Sequence, residues 1–157
     1  MQFHHGLKPI DLSEQIASLI NTYNDLSFRR TAIDVMNGKV DYVVESHGRW
    51  VLGCCGIERL NYQITEIKHL AVHADWRRKG VGRFLVKRAL EMCETPLTYA
   101  TIRAGNEASL ALFGSLGFRE SATYPTDSHQ VALLVRVGPK WKEAKPSWTS
   151  VSSDEAK

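Results

Sequence analysis

Apolar residues at Leu12, Ile16, Leu19, Ile20 and Tyr23 recur with the spacing of one helix face, and Asp11-Leu12-Ser13-Glu14 has the polar-then-acidic form of a capping box. This predicts a first helix opening at that box, after a short strand over residues 3–7. A second short helix is expected over residues 28–36, stopped by Asn37-Gly38. The period then changes from 3.6 to 2. Residues 40–45 and 50–57 are β-rich runs joined by the turn Ser46-His47-Gly48-Arg49, and residues 64–72 form a third strong strand. Val81, Phe84, Leu85, Ala89, Met92 and Cys93 return to a helix face, which Glu94-Thr95-Pro96 ends. A strand over 97–102 and a helix over 107–116, closed by Gly117, come next. Two last strands, 118–124 and 130–137, flank the turn Pro125-Thr126-Asp127-Ser128. Elements interleaved in this order predict an α+β (mixed α/β) domain: one mixed, mostly antiparallel sheet of six or seven strands flanked by about four helices. The domain is expected to span residues 1–138. Residues 139–157, polar with four Lys and three acids, are expected to form a flexible tail.

Composition narrows the class without naming a reaction. A length of 157 residues suits one domain, and 11 Gly and 5 Pro exclude collagen-like and low-complexity chains. A net charge of +3 gives little reason to expect a dedicated nucleic-acid binder. No apolar run approaches the ~18 residues that cross a bilayer. Met1-Gln2-Phe3-His4-His5 lacks the basic-then-apolar order of a secretory signal, so a cytoplasmic protein with no membrane partner is expected. Cys54, Cys55 and Cys93 have neither disulfide nor metal spacing, so three reduced thiols and no metal are expected. Successive strand side chains face opposite ways, which argues against Cys54-Cys55 as a thiol nucleophile.

Six of the 20 basic residues fall between Arg77 and Arg88 with no acid among them. Inside that run, Arg77-Arg78-Lys79-Gly80-Val81-Gly82 follows a strand and opens a helix. The glycines let the backbone approach a ligand closely, and the first amides of a helix are unpaired at the positive end of its dipole. This is an anion site suited to a pyrophosphate. It is not a Walker loop, because no Lys-Ser/Thr follows Gly82, and it lacks the third glycine of a dinucleotide fingerprint.

The stretch Ile67-Lys68-His69-Leu70-Ala71-Val72-His73-Ala74-Asp75-Trp76-Arg77-Arg78-Lys79-Gly80-Val81-Gly82 resembles the acyl-CoA-binding motif of the GNAT superfamily of N-acetyltransferases: a strand, a short linker, then Arg/Gln-x-x-Gly-x-Gly/Ala. Downstream, Asn106, Ser109, Leu112, Phe113 and Leu116-Gly117-Phe118 are similar to that superfamily's second signature. Two motifs in order extend the resemblance over residues 40–137. It implies a GNAT-like fold, acetyl-CoA as co-substrate and direct acetyl transfer to the amine of a small molecule or peptide. By the same resemblance, Leu70, Ala71 and Val72 offer backbone groups to the pantetheine arm. The pyrophosphate rests on Arg77, Arg78, Lys79, Gly80, Val81, Gly82 and Arg83, and Asn106, with Ser109 and Phe113 in the same signature, borders the arm.

The resemblance also implies a general base on the strand, at Glu66. A carboxylate of ordinary pKa is a weak base, so burial or a water relay has to make it effective. His69 and His73 flank it with intrinsic pKa values nearer the task, but strict alternation places His69 on the face opposite Glu66. At the position of the tyrosine that often protonates the departing thiolate, this chain has Phe113. Ser109, Ser115 and Tyr124 are the hydroxyls that could serve instead. Phe113 also keeps open a non-catalytic acyl-CoA-binding or interaction module, while the 77–88 stretch alone could suggest nucleic-acid binding. Acceptor choice is expected to lie in loops 21–30 and 124–129, where Asp25, Asp127 and His129 could meet a cationic amine. A homodimer is left open.

Overall fold

The structure, a computed structural model, describes residues 9–24 and 26–141. The expected strand over residues 3–7, Asp25, and most of the expected tail lie outside the described residues. Four helices and six strands follow in the order α1 (Pro9–Tyr23), α2 (Ala32–Asn37), β1 (Asp41–His47), β2 (Trp50–Arg59), β3 (Ile64–Val72), α3 (Val81–Met92), β4 (Leu97–Arg103), α4 (Glu107–Ser115), β5 (Arg119–Pro125) and β6 (Gln130–Val137). Short 3-10 turns at Ala74–Trp76 and Pro139–Trp141 follow β3 and β6.

The strands form one sheet in the order β1-β2-β3-β4-β6-β5, antiparallel everywhere except between β3 and β4. β2, whose residues 51–57 are all buried, is covered on both faces. On one face α1 packs Leu12, Ile16, Leu19 and Ile20 against Val51, Cys54 and Ala71. On the other, Leu85, Val86 and Ala89 of α3 and Phe113 of α4 meet Cys55, Ile57, Ile67, Ala100 and Leu134. Cys54 and Cys55 therefore sit in different cores, as strand alternation requires. Burial pushes the Cys54 thiol up to about 12 and raises that of Cys55 well above its usual range, so neither is a nucleophile at neutral pH.

Two expected local features differ. α1 opens at Pro9, so Asp11 lies in the first turn and the expected capping box does not cap it. Proline at the first helical position costs no hydrogen bond and starts the helix earlier. The capping box is found instead on α2, where Thr31 accepts from the Asp34 amide and the Asp34 carboxylate accepts from the Thr31 amide at 2.8 Å. That box starts α2 at Ala32 rather than residue 28 and leaves Phe28 exposed in the preceding loop.

Candidate active site

β3 and β4 run parallel and paired only from Ile64 to Glu66, against Leu97 to Tyr99. Beyond that point they part, and a cleft of about 1250 Å³ opens between them. Its walls include Glu66 and Leu70 from β3, Asn106, Ser109 and Phe113 around α4, and the end of α1 at Asn21, Tyr23 and Asn24. Together with His69 and His129, which line it too, seven of the residues singled out in the sequence thus meet in one cavity.

The loop over Arg77–Gly82 lies beyond the end of β3 and does not line that cavity. Arg78 and Gly80 adopt left-handed backbone, with φ of 62° and 83°. Gly80 is the residue before α3, and no side chain caps the helix. The first helical bond joins the Phe84 amide to the Gly80 carbonyl at 3.0 Å, so the amides of Val81, Gly82 and Arg83 precede the ladder. Three such amides, a helix dipole and the flanking cations fit a diphosphate. Not all the cations serve it equally. The Arg77 Nε donates to the Val72 carbonyl at 3.2 Å and its guanidinium covers the Tyr23 ring at 4.5 Å, fastening the loop to α1. Arg83 donates to the Ser115 hydroxyl at 2.6 Å, and Lys79 lies 4.7 Å over the Trp76 ring.

Ala71 is buried against α1, while Leu70 and Val72 pack toward α3. The Leu70 carbonyl accepts from the Asn24 side chain at 3.4 Å. Asn106 caps α4 through Oδ1, 3.1 Å from the Ser109 amide. Phe113 is buried edge-on to Phe118 with ring centroids 5.0 Å apart, so it packs the core and borders the cleft at once. Of the three candidate hydroxyls, Ser109 lines the cleft. Ser115 is engaged by Arg83 and the Leu112 carbonyl, and Tyr124 is exposed on β5.

Glu66 does not stand alone. Lys68 Nζ lies 2.8 Å from its carboxylate and 2.9 Å from that of Glu58, directly across the β2–β3 register. Tyr99 is paired with Glu66 in the parallel register, which sets the phenol beside the same carboxylate. The Lys68 hydrogen bond holds Glu58 below its ordinary pKa. Burial pulls the Lys68 ammonium down, but its two carboxylate partners outweigh that and leave it raised. Burial, then the Glu66 charge, raises the Tyr99 phenol. Lys68, Glu58 and Tyr99 were missed in the sequence, because strand register, not spacing, brings them together.

The expected separation of His69 from Glu66 is overturned. Cys54 pairs with Ala71 and Gly56 with Lys68, so His69 and Leu70 together oppose Cys55 in a β-bulge, with His69 at φ 53°. Alternation is inverted there: Ile67 faces α3, whereas Ala71 faces α1. His69 consequently turns onto the face of Glu66 and Lys68, stacks on Tyr42 and places Nδ1 2.8 Å from the Tyr42 hydroxyl. Burial, aided by the Lys68 charge, lowers its pKa to about 4. His73 instead accepts from the Asp75 amide beyond the strand end.

The model of the acetyltransferase (GNAT) family matches residues 12–118, more than half of the sequence. The chain belongs to that family. The match takes in both N-terminal helices of this GNAT chain, which the sequence motifs had not covered. It is 35% identical over 75 residues, 43% of its length, to the ribosomal protein bS18 alanine N-acetyltransferase of Salmonella typhimurium, covering 51% of that protein. It is 31% identical over 81 residues to an N-alpha-acetyltransferase of Mycobacterium tuberculosis, covering 50% of this chain and 51% of the other. The GNAT chain spans about half the length of these curated relatives.

Among solved structures, a Salmonella typhimurium protein described as an acetyltransferase, with its cofactor acetyl-CoA, superposes with a TM-score of 0.72 at 18% identity, covering 92% of this chain and 95% of that one. A spermidine N-acetyltransferase from Vibrio cholerae gives 0.71 at 16%, covering 87% and 94%. The fold is shared: a six-stranded, mostly antiparallel sheet with four helices. No helix among the described residues is long and apolar enough to cross a membrane.

Proposed function

We propose that this GNAT chain transfers the acetyl group of acetyl-CoA directly to a primary amine, with Glu66 as the base. The observation that carries the reading is the cleft where β3 and β4 part, which has a carboxylate at its apex and the amide-rich loop before α3 beyond its rim. Acetyl-CoA supplies an acyl group activated as a thioester. The amides of Val81, Gly82 and Arg83, with Arg78 and Lys79 beside them, hold its pyrophosphate. Leu70, Ala71 and Val72, on the β3 edge that β4 has left, align the pantetheine arm, and Asn106 and Ser109 border it.

An amine arrives protonated and must lose a proton to attack. Glu66, held by Lys68 at 2.8 Å, presents an oriented carboxylate to take it, directly or through one water. Phe113 has no proton to give, so the thiolate departs without help from that position. The reading places the reaction in the cytoplasm, where thiols such as the free Cys54, Cys55 and Cys93 stay reduced. The relatives named above act on a protein alanine and on spermidine, so the acceptor is taken first as an amine in general.

Steady-state CoA release over an amine panel tests this. Glu66→Gln is expected to lower kcat by about 10²–10⁴-fold while the KM for acetyl-CoA changes little. Phe113 favours the second reading, a module that binds acyl-CoA without transfer. Acetyl-CoA affinity with no amine-stimulated CoA release would establish that module and sink the enzyme.

A further inference from the structure

Two features of the cleft bear on which amine enters it. Among the described residues lining it, Glu66 is the only acid, and Lys68 already pairs with it at 2.8 Å. A second ammonium group on an acceptor meets no other carboxylate among those described residues. The other feature is His69, which lines the same cleft as Glu66 only because the bulge turns it onto that face. Left-handed backbone at a non-glycine residue costs on the order of 1–2 kcal/mol, and such strain gathers at functional sites.

Burial keeps both partners of the His69–Tyr42 contact neutral: it lowers the imidazole pKa and raises that of the phenol. Between two neutral groups, the imine nitrogen is the better acceptor and the phenol the better donor. The Tyr42 hydroxyl therefore donates to Nδ1 across the 2.8 Å contact, and the ring's one proton resides on Nε2. His69 is thus a fixed N–H donor. It cannot accept a hydrogen bond from an ammonium, but it can give one to an oxygen.

We infer that the acceptor is a primary amine with a carbonyl oxygen on the adjacent carbon, an amino acid or a peptide amino terminus, whose oxygen His69 Nε2–H engages while Glu66 takes the amine proton. Tyr42 is a positioning residue, acting through the tautomer of His69. This rests on the acetyl-transfer reading and narrows it, setting the cleft apart from one built for a polyamine.

The test uses the full chain and acetyl-CoA with propylamine, alaninamide, alanine, alanyl-alanine and spermidine, following CoA release. Alaninamide and alanyl-alanine are expected to exceed propylamine and spermidine at least tenfold in kcat/KM, and alanine against alanyl-alanine tells free amino acid from peptide terminus. His69→Phe is expected to bring the alaninamide-to-propylamine ratio toward one through the amine KM, with the KM for acetyl-CoA little changed. His69→Gln, which keeps an N–H donor, should restore part of the ratio. Nitrogen NMR of the wild type should show the Nε2–H tautomer, and Tyr42→Phe should mix the tautomers while thermal unfolding checks that each variant folds. Propylamine or spermidine matching alaninamide, or a dominant Nδ1–H tautomer, overturns the inference while acetyl transfer stands. Failure of every amine to release CoA overturns acetyl transfer itself, and this inference with it.

Discussion

Lys68 separates two carboxylates that face each other across β2 and β3, and its removal shows what the ammonium contributes. Glu58 and Glu66 are in register, and like charges directly opposite each other destabilise a sheet. Lys68→Met is expected to cost about 2 kcal/mol in urea unfolding, between the values typical of exposed and of buried ion pairs. His69 gives a second prediction at this scale. Its folded pKa, about 4, lies below its ordinary 6.5. Above 6.5 neither state is protonated; as pH falls below 6.5 the unfolded chain takes the proton first, so stability drops until about pH 4. The Tm of the wild type should fall across this window more steeply than that of His69→Gln, and equal slopes would contradict a buried neutral imidazole. The residue types of Glu66, Phe113 and the basic loop were legible from motif position. Lys68, Tyr99 and Tyr42 were not, because each enters through a cross-strand neighbour or a bulge.

β2 is the element on which both cores close, and Gly53 shows how little room it leaves. A Cβ there would stand 2.9 Å from the Ala71 carbonyl oxygen and 2.9 Å from Leu85 Cδ1. One of these neighbours is backbone, so α3 or β3 would have to shift. Gly53→Ala is expected to lower stability by about 1–3 kcal/mol, read as a fall in the urea midpoint at unchanged m-value. Most elements were legible because their periods are unambiguous: the residue 64–72 strand coincides with β3, and the helix face from Val81 coincides with α3. The misplaced capping box has a simple cause. Asp11-x-x-Glu14 and Thr31-x-x-Asp34 are both polar-then-acidic pairs, and the chain starts α1 at Pro9 irrespective of the first.

The molecule as a whole is organised by the parting of β3 from β4, and a ligand seated there should tie β3, β4 and the head of α3 together. Acetyl-CoA at 100 times its Kd is expected to stabilise the fold by about 2.7 kcal/mol, roughly 5–10 °C in Tm for a chain of this size. Replacing Arg78 and Lys79 together by Glu should shrink that increase at equal ligand concentration while leaving the Tm without ligand nearly unchanged. An undiminished increase would remove the charged loop from the binding site. The left-handed backbone at Arg78, as well as at Gly80, could not be read beforehand, since arginine carries no signal for positive φ.

Local chemistry was enough to settle what this chain is made of: amphipathic helices, alternating strands, a glycine turn among cations and two family signatures are all properties of neighbours along the backbone. The fold class and the residues at the head of α3 follow from them. Tertiary structure alone decided which side chains share the cleft. Sheet order, the three-residue pairing of β3 with β4, and the bulge at His69 depend on contacts between distant segments, and one extra residue in a strand inverts every later side chain without altering the hydrophobic pattern that precedes it.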